Sequence, residues 1–228
     1  MMPSTVVYSC VSGQYDNLLA TLFKSQPKAE DGVKYVVFVD NVTAPTKKGI
    51  WEVRPLFWSH ASSGRRSARW HKLHPHLLFP SADYTVWVDG SQIIKPIKVF
   101  QDLVQPYTQK FDIATFKHPI RDCVYQELNA CKQLRKDDPA VMEKQIEFYK
   151  KVGYKPRSGM VETACVIRKN TDQVVRFNDK WWSELDANSY RDQLSFNYVS
   201  WLCKIPYGHI PGHRSQSPFF NFVMHRRR

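Results

Sequence analysis

A carboxylate at the end of an apolar run is the sharpest chemical feature of the sequence. Asp89 follows the apolar residues 86–88 and precedes Gly90 and Ser91. A strand that delivers a carboxylate into a glycine turn can hold Mg²⁺ or Mn²⁺ against a diphosphate, because hard cations take oxygen ligands. An Asp-Gly pair also forms hairpin turns, so the motif alone leaves a metal ligand and a turn residue both open.

Asp192 is the second candidate carboxylate. It stands between Arg191 and Gln193, at the predicted start of an aromatic-rich helix. The positive end of a helix dipole favours an acid there, so Asp192 is either a capping residue or a carboxylate that binds a sugar hydroxyl or acts as a base. On the second interpretation the candidate catalytic residues are Arg191, Asp192 and Gln193.

The histidines fall into two groups. The first group lacks the spacing of a zinc site and is interpreted as helix surface and turn; its members are His71, His74 and His76. The second group, His209 and His213, lies in a loop that contains proline and glycine. An imidazole from this loop could complete a metal site begun by Asp89, with Arg214 binding phosphate.

The positive charge is concentrated in two stretches. The chain has 33 Lys and Arg against 21 Asp and Glu, a formal net charge of +12. Residues 54–82 and 193–228 contain no acid, and together they carry ten of these charges. Such a face would bind a phosphate backbone, and a solvated surface with a frayed tail is the alternative. The candidate DNA-binding residues are Arg65, Arg66, Arg69, Arg226, Arg227 and Arg228.

Alternating strand and helix patterns in the first half of the chain position these residues. The predicted strands cover 5–11, 34–39, 51–54, 83–88, 111–116 and 160–167. The predicted helices cover 14–26, 64–78, 99–106, 122–134, 139–151, 178–185 and 189–203. Continuous apolar strands indicate a parallel α/β sheet covered on both faces. Ligands bind beyond the carboxyl ends of such strands, which selects residues 12–13, Asp40, residues 89–91 and His118.

Composition limits the class of protein. Hydrophobic residues make up 43% of 228 residues, which excludes a disordered chain and predicts one domain over 1–228 with a basic tail from about 205. Five scattered cysteines without a Cys-x-x-Cys pair argue against a disulfide scaffold and favour a reducing compartment. With no signal-like N-terminus and no membrane-length apolar run, we expect a soluble cytoplasmic protein.

An ordered set of motifs resembles the plant TOD/MUCI-type glycosyltransferase-like family. The matching pieces begin with Tyr-Ser-Cys-Val-x-Gly-x-Tyr-Asp and include Asp-Tyr-x-x-Trp-Val-Asp-Gly and Arg-Asp-Gln-Leu-Ser-Phe. They lie at residues 8–16, 72–80, 83–90, 116–127, 181–184 and 189–196. The resemblance therefore spans most of the chain, from about residue 8 to residue 200.

The resemblance implies a GT-A-like α/β fold, a layered sheet with helices on both faces that binds a nucleotide-diphospho-sugar. In that fold a strand-end Asp-x-Asp motif holds Mn²⁺ or Mg²⁺, but here Trp87 and Ser91 flank Asp89 where a second carboxylate would stand. The loop of His209 and His213 would then complete the metal site. The donor is expected to be a UDP-sugar, and the residues implied to bind it are Tyr8, Gly13, Asp16, Asp40, Lys72, Gly90, Ser91, His118, Arg121, Glu162 and Arg214.

The acceptor is predicted from the charge. A short basic chain suits glycosylation of hydroxylated pyrimidines in DNA, and more loosely it resembles small phage DNA-modifying glycosyltransferases, which act in the host cytoplasm. An enzyme of this kind extrudes its base and stacks it, and the aromatic residues bordering the basic stretches are Trp51, Trp58, Trp70 and Tyr207. Ordinary core aromatics, a glycan or lipid acceptor, and a non-catalytic nucleic-acid-binding module stay open as alternatives.

Overall fold

The fold is built on a mixed sheet of eight strands. The computed structural model describes residues 2–13 and 16–224, without the side chain of Asp16. The strands are β1 (Thr5–Val11), β2 (Val33–Val39), β3 (Thr46–Lys48), β4 (Trp51–Pro55), β5 (Tyr84–Val88), β6 (Gln92–Ile94), β7 (Ile113–Lys117), β8 (Val161–Lys169), β9 (Gly208–Ile210) and β10 (Phe220–Phe222). The helices are α1 (Asp16–Leu22), α2 (Gly64–Leu73), α3 (Pro75–Leu78), α4 (Val124–Gln133), α5 (Pro139–Lys151), α6 (Asp172–Ala187) and α7 (Asp192–Cys203), with π-helical and 3₁₀ turns over Val99–Val104 and Gln105–Tyr107.

β1 lies near the centre of the sheet, whose order is β3-β4-β2-β1-β5-β8-β7-β9. β4, β2, β1 and β5 are parallel, as the apolar runs predict. β8 is antiparallel to both of its neighbours, β5 and β7. The amino end of β8 therefore lies at the edge where β1 and β5 end. This direction, which the sequence pattern did not predict, brings Glu162 and Thr163 to the same edge as Asp89.

Both faces of the sheet are covered, because strand side chains alternate between two cores. On one face, Tyr8 of β1 packs in a cluster with Trp181 of α6 and Phe196 of α7. On the other face, the neighbouring Val7 packs in a cluster with Leu22 of α1 and Phe100. The predicted layered α/β arrangement is confirmed.

Local sequence signals predict where some helices begin and end, but not others. α5 begins where predicted, since Asp138 accepts a hydrogen bond from the Ala140 amide at 2.8 Å and Pro139 takes the first helical position. The helix predicted over 64–78 with a break at Pro75 is two helices, as expected, because Pro75 cannot continue the hydrogen-bond ladder of α2. The helix predicted over 178–185 is the longer α6.

Residues 205–224, predicted as part of a basic tail, belong to the fold, and residues 225–228 lie outside the described residues. β9 joins the edge of the main sheet beside β7, and β10 pairs with β6. The Val223 amide donates to the Ser91 carbonyl at 2.9 Å, which fastens this segment beside the end of β5. β3, β6, β9 and β10 were missed because strands of three residues are too short to show a period.

The length and polarity of the helices decide whether one of them could span a membrane. Among residues 2–13 and 16–224, every helix is too short or too polar to cross a bilayer.

Candidate active site

The main sheet has a topological switch point between β1 and β5. The chain leaves β1 for β2 on one side, and β5 lies on the other side of β1. In open α/β sheets, ligands bind in the crevice beyond the carboxyl ends of strands at such a point. The loop after β1 carries Gly13, and the loop after β5 carries Asp89.

The β1 wall of this crevice is held by one carboxylate and two glycines. Asp40, which follows β2, accepts hydrogen bonds from the Ser12 hydroxyl at 3.0 Å and from the Gly13 amide. Gly13 has φ +74°, which a residue with a side chain rarely adopts. A Cβ on Gly64 would lie 2.6 Å from the Ser12 carbonyl oxygen, so only glycine lets α2 begin against this loop. The predicted residues Gly13 and Asp40 thus lie together, and the side chain of Asp16 lies outside the described residues.

Asp89 forms the β5 wall. Its amide donates to the Ala164 carbonyl at 2.8 Å, and its Oδ1 accepts a hydrogen bond from Trp87 Nε1 at 2.6 Å. Its side chain is 30% exposed, so the carboxylate is open to the crevice. Gly90 packs against α1, where a Cβ would lie 3.0 Å from the Leu18 Cβ. Ser91, predicted to bind the donor, is buried.

Lys72 lies beneath the crevice and is fully buried. Its Nζ donates to the Thr163 carbonyl and to Asp192 Oδ2, both at 2.5 Å, and lies 3.7 Å from Asp89 Oδ1. Burial lowers the pKa of the ammonium, and the two carboxylates oppose that shift. The side chain is therefore not accessible to a donor, contrary to the prediction, and instead links the two candidate carboxylates.

Asp192 is the anchor of a buried ionic cluster. Its Oδ2 also accepts a hydrogen bond from the Thr163 hydroxyl at 2.7 Å, and its Oδ1 lies 3.2 Å from Arg69 Nε. Burial alone raises its pKa, but the charges of Arg69, Lys72 and Arg191 outweigh burial and hold the pKa well below its usual range. A carboxylate held so firmly in its charged form is a weak base at neutral pH, which favours an anchoring role for Asp192 over the predicted role as a base.

The other two candidate catalytic residues flank this anchor. Arg191 is partly buried, and Gln193 lies in the first turn of α7. Burial lowers the pKa of Arg191, and the nearby Asp192, Cys131 and Glu127 together raise it by more. Arg191 is therefore a further fixed cation beneath the crevice.

Tyr8 supports the cluster from within the core. Its hydroxyl donates to the Lys72 carbonyl at 2.8 Å and accepts from Arg168 Nη1 at 3.1 Å. Its ring packs edge-on against Phe79 and Trp87, each with ring centroids 5.3 Å away. Burial raises the pKa of Tyr8 to about 12. Contrary to the prediction, this fully buried side chain cannot reach a nucleoside.

A second cluster follows β7, in the matched motif 116–127. Arg121 Nε donates to Glu127 Oε2 at 2.6 Å, and its Nη2 lies 2.9 Å from His118 Nε2. Burial, and then the Arg121 charge, lowers the pKa of His118, so its imidazole is neutral at neutral pH. The predicted pair His118 and Arg121 is brought together, with the Arg121 side chain 24% exposed.

The 208–216 loop is fastened over the start of β8. The Arg214 amide donates to Glu162 Oε2 at 3.0 Å, and Arg214 Nε lies 3.4 Å from Glu162 Oε1. Gln92 Nε2 donates to the Arg214 carbonyl at 3.0 Å. The Arg214 side chain is 53% exposed. Arg214 and Glu162, both predicted to bind the donor, thus form a pair with an accessible guanidinium.

The predicted metal ligands are not brought together. His209 is exposed on β9, and His213 lies in a tight turn that its amide closes onto the Gln216 carbonyl at 2.9 Å. In the part of the chain that the structure describes, three or more His, Cys, Asp or Glu side chains nowhere gather into a group that could hold a metal ion. Asp89, His209 and His213 therefore do not form a three-ligand group.

The predicted DNA-binding arginines of α2 contact protein groups. Arg66 donates to the carbonyls of Leu185, Asp186 and Asn188 at 2.9–3.2 Å, closing the end of α6. Arg69 pairs with Asp192, as above, and Arg65 donates to the hydroxyl of Tyr190 at 2.6 Å. Arg226, Arg227 and Arg228 lie outside the described residues.

Of the aromatics predicted to stack bases, most have partners in the protein. Trp51 is fully buried, and Tyr207 packs edge-on against Phe196. Trp70 is nearly buried and stacks with Trp58, their ring centroids 5.7 Å apart. These contacts favour the alternative of ordinary core aromatics.

Sequence reasoning missed two residues that hold the site. Thr163 supplies both a carbonyl and a hydroxyl to the Lys72–Asp192 cluster. Arg168 supports Tyr8. Both lie in β8, although the strand predicted over 160–167 ends one residue before Arg168. Neither residue carries a local signal, because their partners are distant along the chain.

Comparison with known proteins gives a family match over most of the chain. Residues 2–209 match a family model described as TOD1/MUCI70, glycosyltransferase-like domain. The chain is 30% identical over 215 residues to an Arabidopsis thaliana protein named probable hexosyltransferase MUCI70, covering 85% of this chain and 36% of that protein. It is 28% identical over 135 residues to Arabidopsis thaliana alkaline ceramidase TOD1, covering 54% of this chain and 29% of that protein.

A solved structure shares the fold. The apo structure of the bifunctional glycosyltransferase WbbM superposes with a TM-score of 0.55 at 12% identity, covering 87% of this chain and 38% of that one. The fold is therefore GT-A-like, as predicted. The chain spans 36% of the length of the Arabidopsis thaliana hexosyltransferase and 38% of the length of the WbbM chain.

Proposed function

Because the chain belongs to the TOD1/MUCI70 glycosyltransferase-like family, we propose that it transfers a sugar from a nucleotide-sugar donor, in the simplest case a UDP-sugar, to an acceptor hydroxyl. In this reaction the bond between the anomeric carbon and the diphosphate breaks, and a bond from that carbon to the acceptor oxygen forms. The acceptor loses its proton and the nucleoside diphosphate leaves. The protein must bind the diphosphate, stabilise its departure and hold the acceptor beside the sugar.

The observation that carries this proposal is the placement of the Gly13 loop and of Asp89 after the neighbouring strands β1 and β5, at the switch point of the sheet. An α/β sheet binds its ligands at such a point, and Gly64 and Gly90, which pack closely there, leave no room for a side chain. The partly exposed carboxylate of Asp89 is oriented by Trp87 Nε1 and can accept hydrogen bonds from hydroxyls of the ribose or of the transferred sugar. The loop of Gly13, fixed by Asp40, would then lie against the nucleoside.

Cations around the crevice would stabilise the leaving diphosphate. The side chains of Arg69, Arg121 and Arg214 are 20%, 24% and 53% exposed. Each is held by a buried carboxylate, which fixes the guanidinium before a ligand arrives. Guanidinium groups form strong charge-assisted hydrogen bonds with phosphate, and a preorganised group loses little freedom on binding.

Asp192, Lys72 and Tyr8 serve as positioning residues in this proposal. Asp192 holds Arg69 at the crevice and Lys72 beneath Asp89, and Tyr8 holds the Lys72 backbone. The divalent cation that the resemblance implies does not fit the described residues as a three-ligand site. No step of the proposed reaction depends on it.

The acceptor that we favour is a glycan-type hydroxyl. One relative is named a hexosyltransferase, and two of the arginines predicted to bind DNA are engaged inside the fold. DNA stays a second candidate because the net charge of +12 favours a polyanion. The other relative is named a ceramidase, so ceramide hydrolysis is a third activity to assay.

A thermal-shift panel of nucleotide sugars tests the donor. Ligands that bind only the folded state raise its melting temperature by mass action. We expect one nucleoside diphosphate and its sugars to stabilise the protein, and Asp89→Asn to abolish the shift for the sugars while keeping the hydrogen bond to Trp87. The matched control is Asp31→Asn, an exposed acid beside the amino end of β2.

Sugar transfer is then assayed with the stabilising donor. Glycan, hydroxymethyl-pyrimidine DNA and ceramide are offered in parallel, and turnover is counted per folded molecule. No stabilisation by any nucleotide, or full shift and turnover in Asp89→Asn, would contradict the proposal. Release of a fatty acid from ceramide without sugar transfer would replace it.

A further inference from the structure

The Lys72 ammonium stands in an oxygen cradle of the kind that binds divalent cations. Its Nζ lies 2.5 Å from the Thr163 carbonyl, 2.5 Å from Asp192 Oδ2 and 3.7 Å from Asp89 Oδ1. Two carboxylates and a backbone carbonyl are ligands of a hard cation such as Mn²⁺ or Mg²⁺. We infer that Lys72 Nζ permanently occupies the cation position of this site, so that the chain binds its donor without a divalent metal. The part that concerns the donor rests on the proposed function.

The lysine leaves little for a metal ion to bind. The Nζ is fully buried, donates two hydrogen bonds and lies 3.7 Å from Asp89 Oδ1, so the lysine is held in place. A divalent cation on Asp89 would lie close to this ammonium and be repelled by it. The Asp89 Oδ1 atom also accepts the Trp87 Nε1 hydrogen bond, which occupies part of the same carboxylate.

The charges around Asp89 and Asp192 also favour a lysine in place of a metal ion. The cations Arg69, Lys72 and Arg191 surround the carboxylates Asp89 and Asp192, which leaves one excess positive charge. Without the lysine, two arginines would balance two carboxylates, and the cluster would offer a diphosphate no excess positive charge. With the lysine in place, an anionic donor meets a site that is already positive.

A titration with Mn²⁺ alone tests this inference on the whole chain without any nucleotide. Free Mn²⁺ is followed by its electron paramagnetic resonance signal. We expect the wild-type protein to bind no Mn²⁺ through Asp89, so that Asp89→Asn does not change the titration. Lys72→Ala empties the cradle, and we expect it to bind one Mn²⁺ per chain. Adding Asp89→Asn to Lys72→Ala should weaken that binding. Lys72→Met, which removes the charge but fills the space, is the matched control and should bind less Mn²⁺ than Lys72→Ala.

Two results of the Mn²⁺ titration would overturn the inference. The first is wild-type Mn²⁺ binding that Asp89→Asn removes. The second is a Lys72→Ala protein that is folded by circular dichroism and binds no Mn²⁺. If Lys72→Ala does not fold, the wild-type titration decides alone.

A second measurement concerns the donor. UDP affinity of the wild-type protein, measured by calorimetry, should agree within about twofold in EDTA and in Mn²⁺, whereas a gain of about tenfold or more with Mn²⁺ would overturn the inference. Absence of UDP binding in both buffers would count against a uridine donor in the proposed function, and the Mn²⁺ titration would still decide the role of Lys72.

Discussion

Replacing Asp192 by Asn separates an anchoring role from a catalytic one. The substitution keeps the shape of the side chain but removes the charge that lies 2.5 Å from Lys72 Nζ and 3.2 Å from Arg69 Nε. Removing one partner of a buried ionic cluster leaves uncompensated charge and costs about 3–5 kcal/mol. We therefore expect the free energy of unfolding, measured in urea at neutral pH, to fall by about that amount with little change in the slope. The matched control is Asp186→Asn, which removes an exposed carboxylate 3.7 Å from Arg66 and should cost less than about 1 kcal/mol.

The pH dependence of the same variant gives a second readout. The neighbouring cations lower the pKa of Asp192 in the folded protein, whereas in the unfolded chain it returns to about 3.9. A lowered folded pKa contributes stability that is fully present above the unfolded pKa and is lost as pH falls through the folded pKa. The stability gap between wild type and Asp192→Asn should therefore be constant near neutral pH and close below about pH 4. A loss of less than about 1 kcal/mol together with a fall of about 10² in turnover per folded molecule would refute the anchoring role.

Three further predictions concern the crevice and the basic helix. Gly64→Ala places a Cβ 2.6 Å from the Ser12 carbonyl oxygen, and we expect this overpacking to lower the free energy of unfolding in urea by about 1–3 kcal/mol; unchanged stability would contradict the close packing. Arg214→Gln should weaken binding of the nucleoside diphosphate by about tenfold or more in calorimetry, because a charge-assisted hydrogen bond is lost. The melting temperature should stay near that of wild type, and equal affinity would remove Arg214 from the donor site. Arg66→Gln should destabilise the protein by about 1–3 kcal/mol, since three carbonyls lose their donor, and should leave the salt dependence of any DNA binding unchanged; a flatter salt slope would return Arg66 to a DNA-binding face.

The sequence predicts those parts of the fold that depend on near neighbours along the chain. β1 is found over the residues predicted, and α5 begins and ends where its proline start and glycine end indicate. Asp89 and Asp40 were located correctly because a polar residue after an apolar run marks the end of a strand. The resemblance to the family supplied the rest of the fold class.

The site itself depends on contacts that no local pattern reports. Lys72 meets Thr163 and Asp192 across 91 and 120 residues of sequence, and the antiparallel direction of β8 is what places Thr163 there. The sequence pattern identified Lys72 and Asp192 as polar residues worth attention. It gave no sign that each would neutralise the other inside the core.

In the basic stretch 54–82, contacts with distant parts of the chain change what the positive charge indicates. Counted along the sequence, its five cations describe a surface for a phosphate backbone. In the fold, Arg66 holds the end of α6, Arg69 holds Asp192, and Lys72 lies buried between two carboxylates. The acids that balance these cations come from other parts of the chain, so the acid-free stretch is not an uncompensated one. The excess of basic residues in this stretch therefore describes contacts within the fold and does not by itself indicate a groove for a long polyanion.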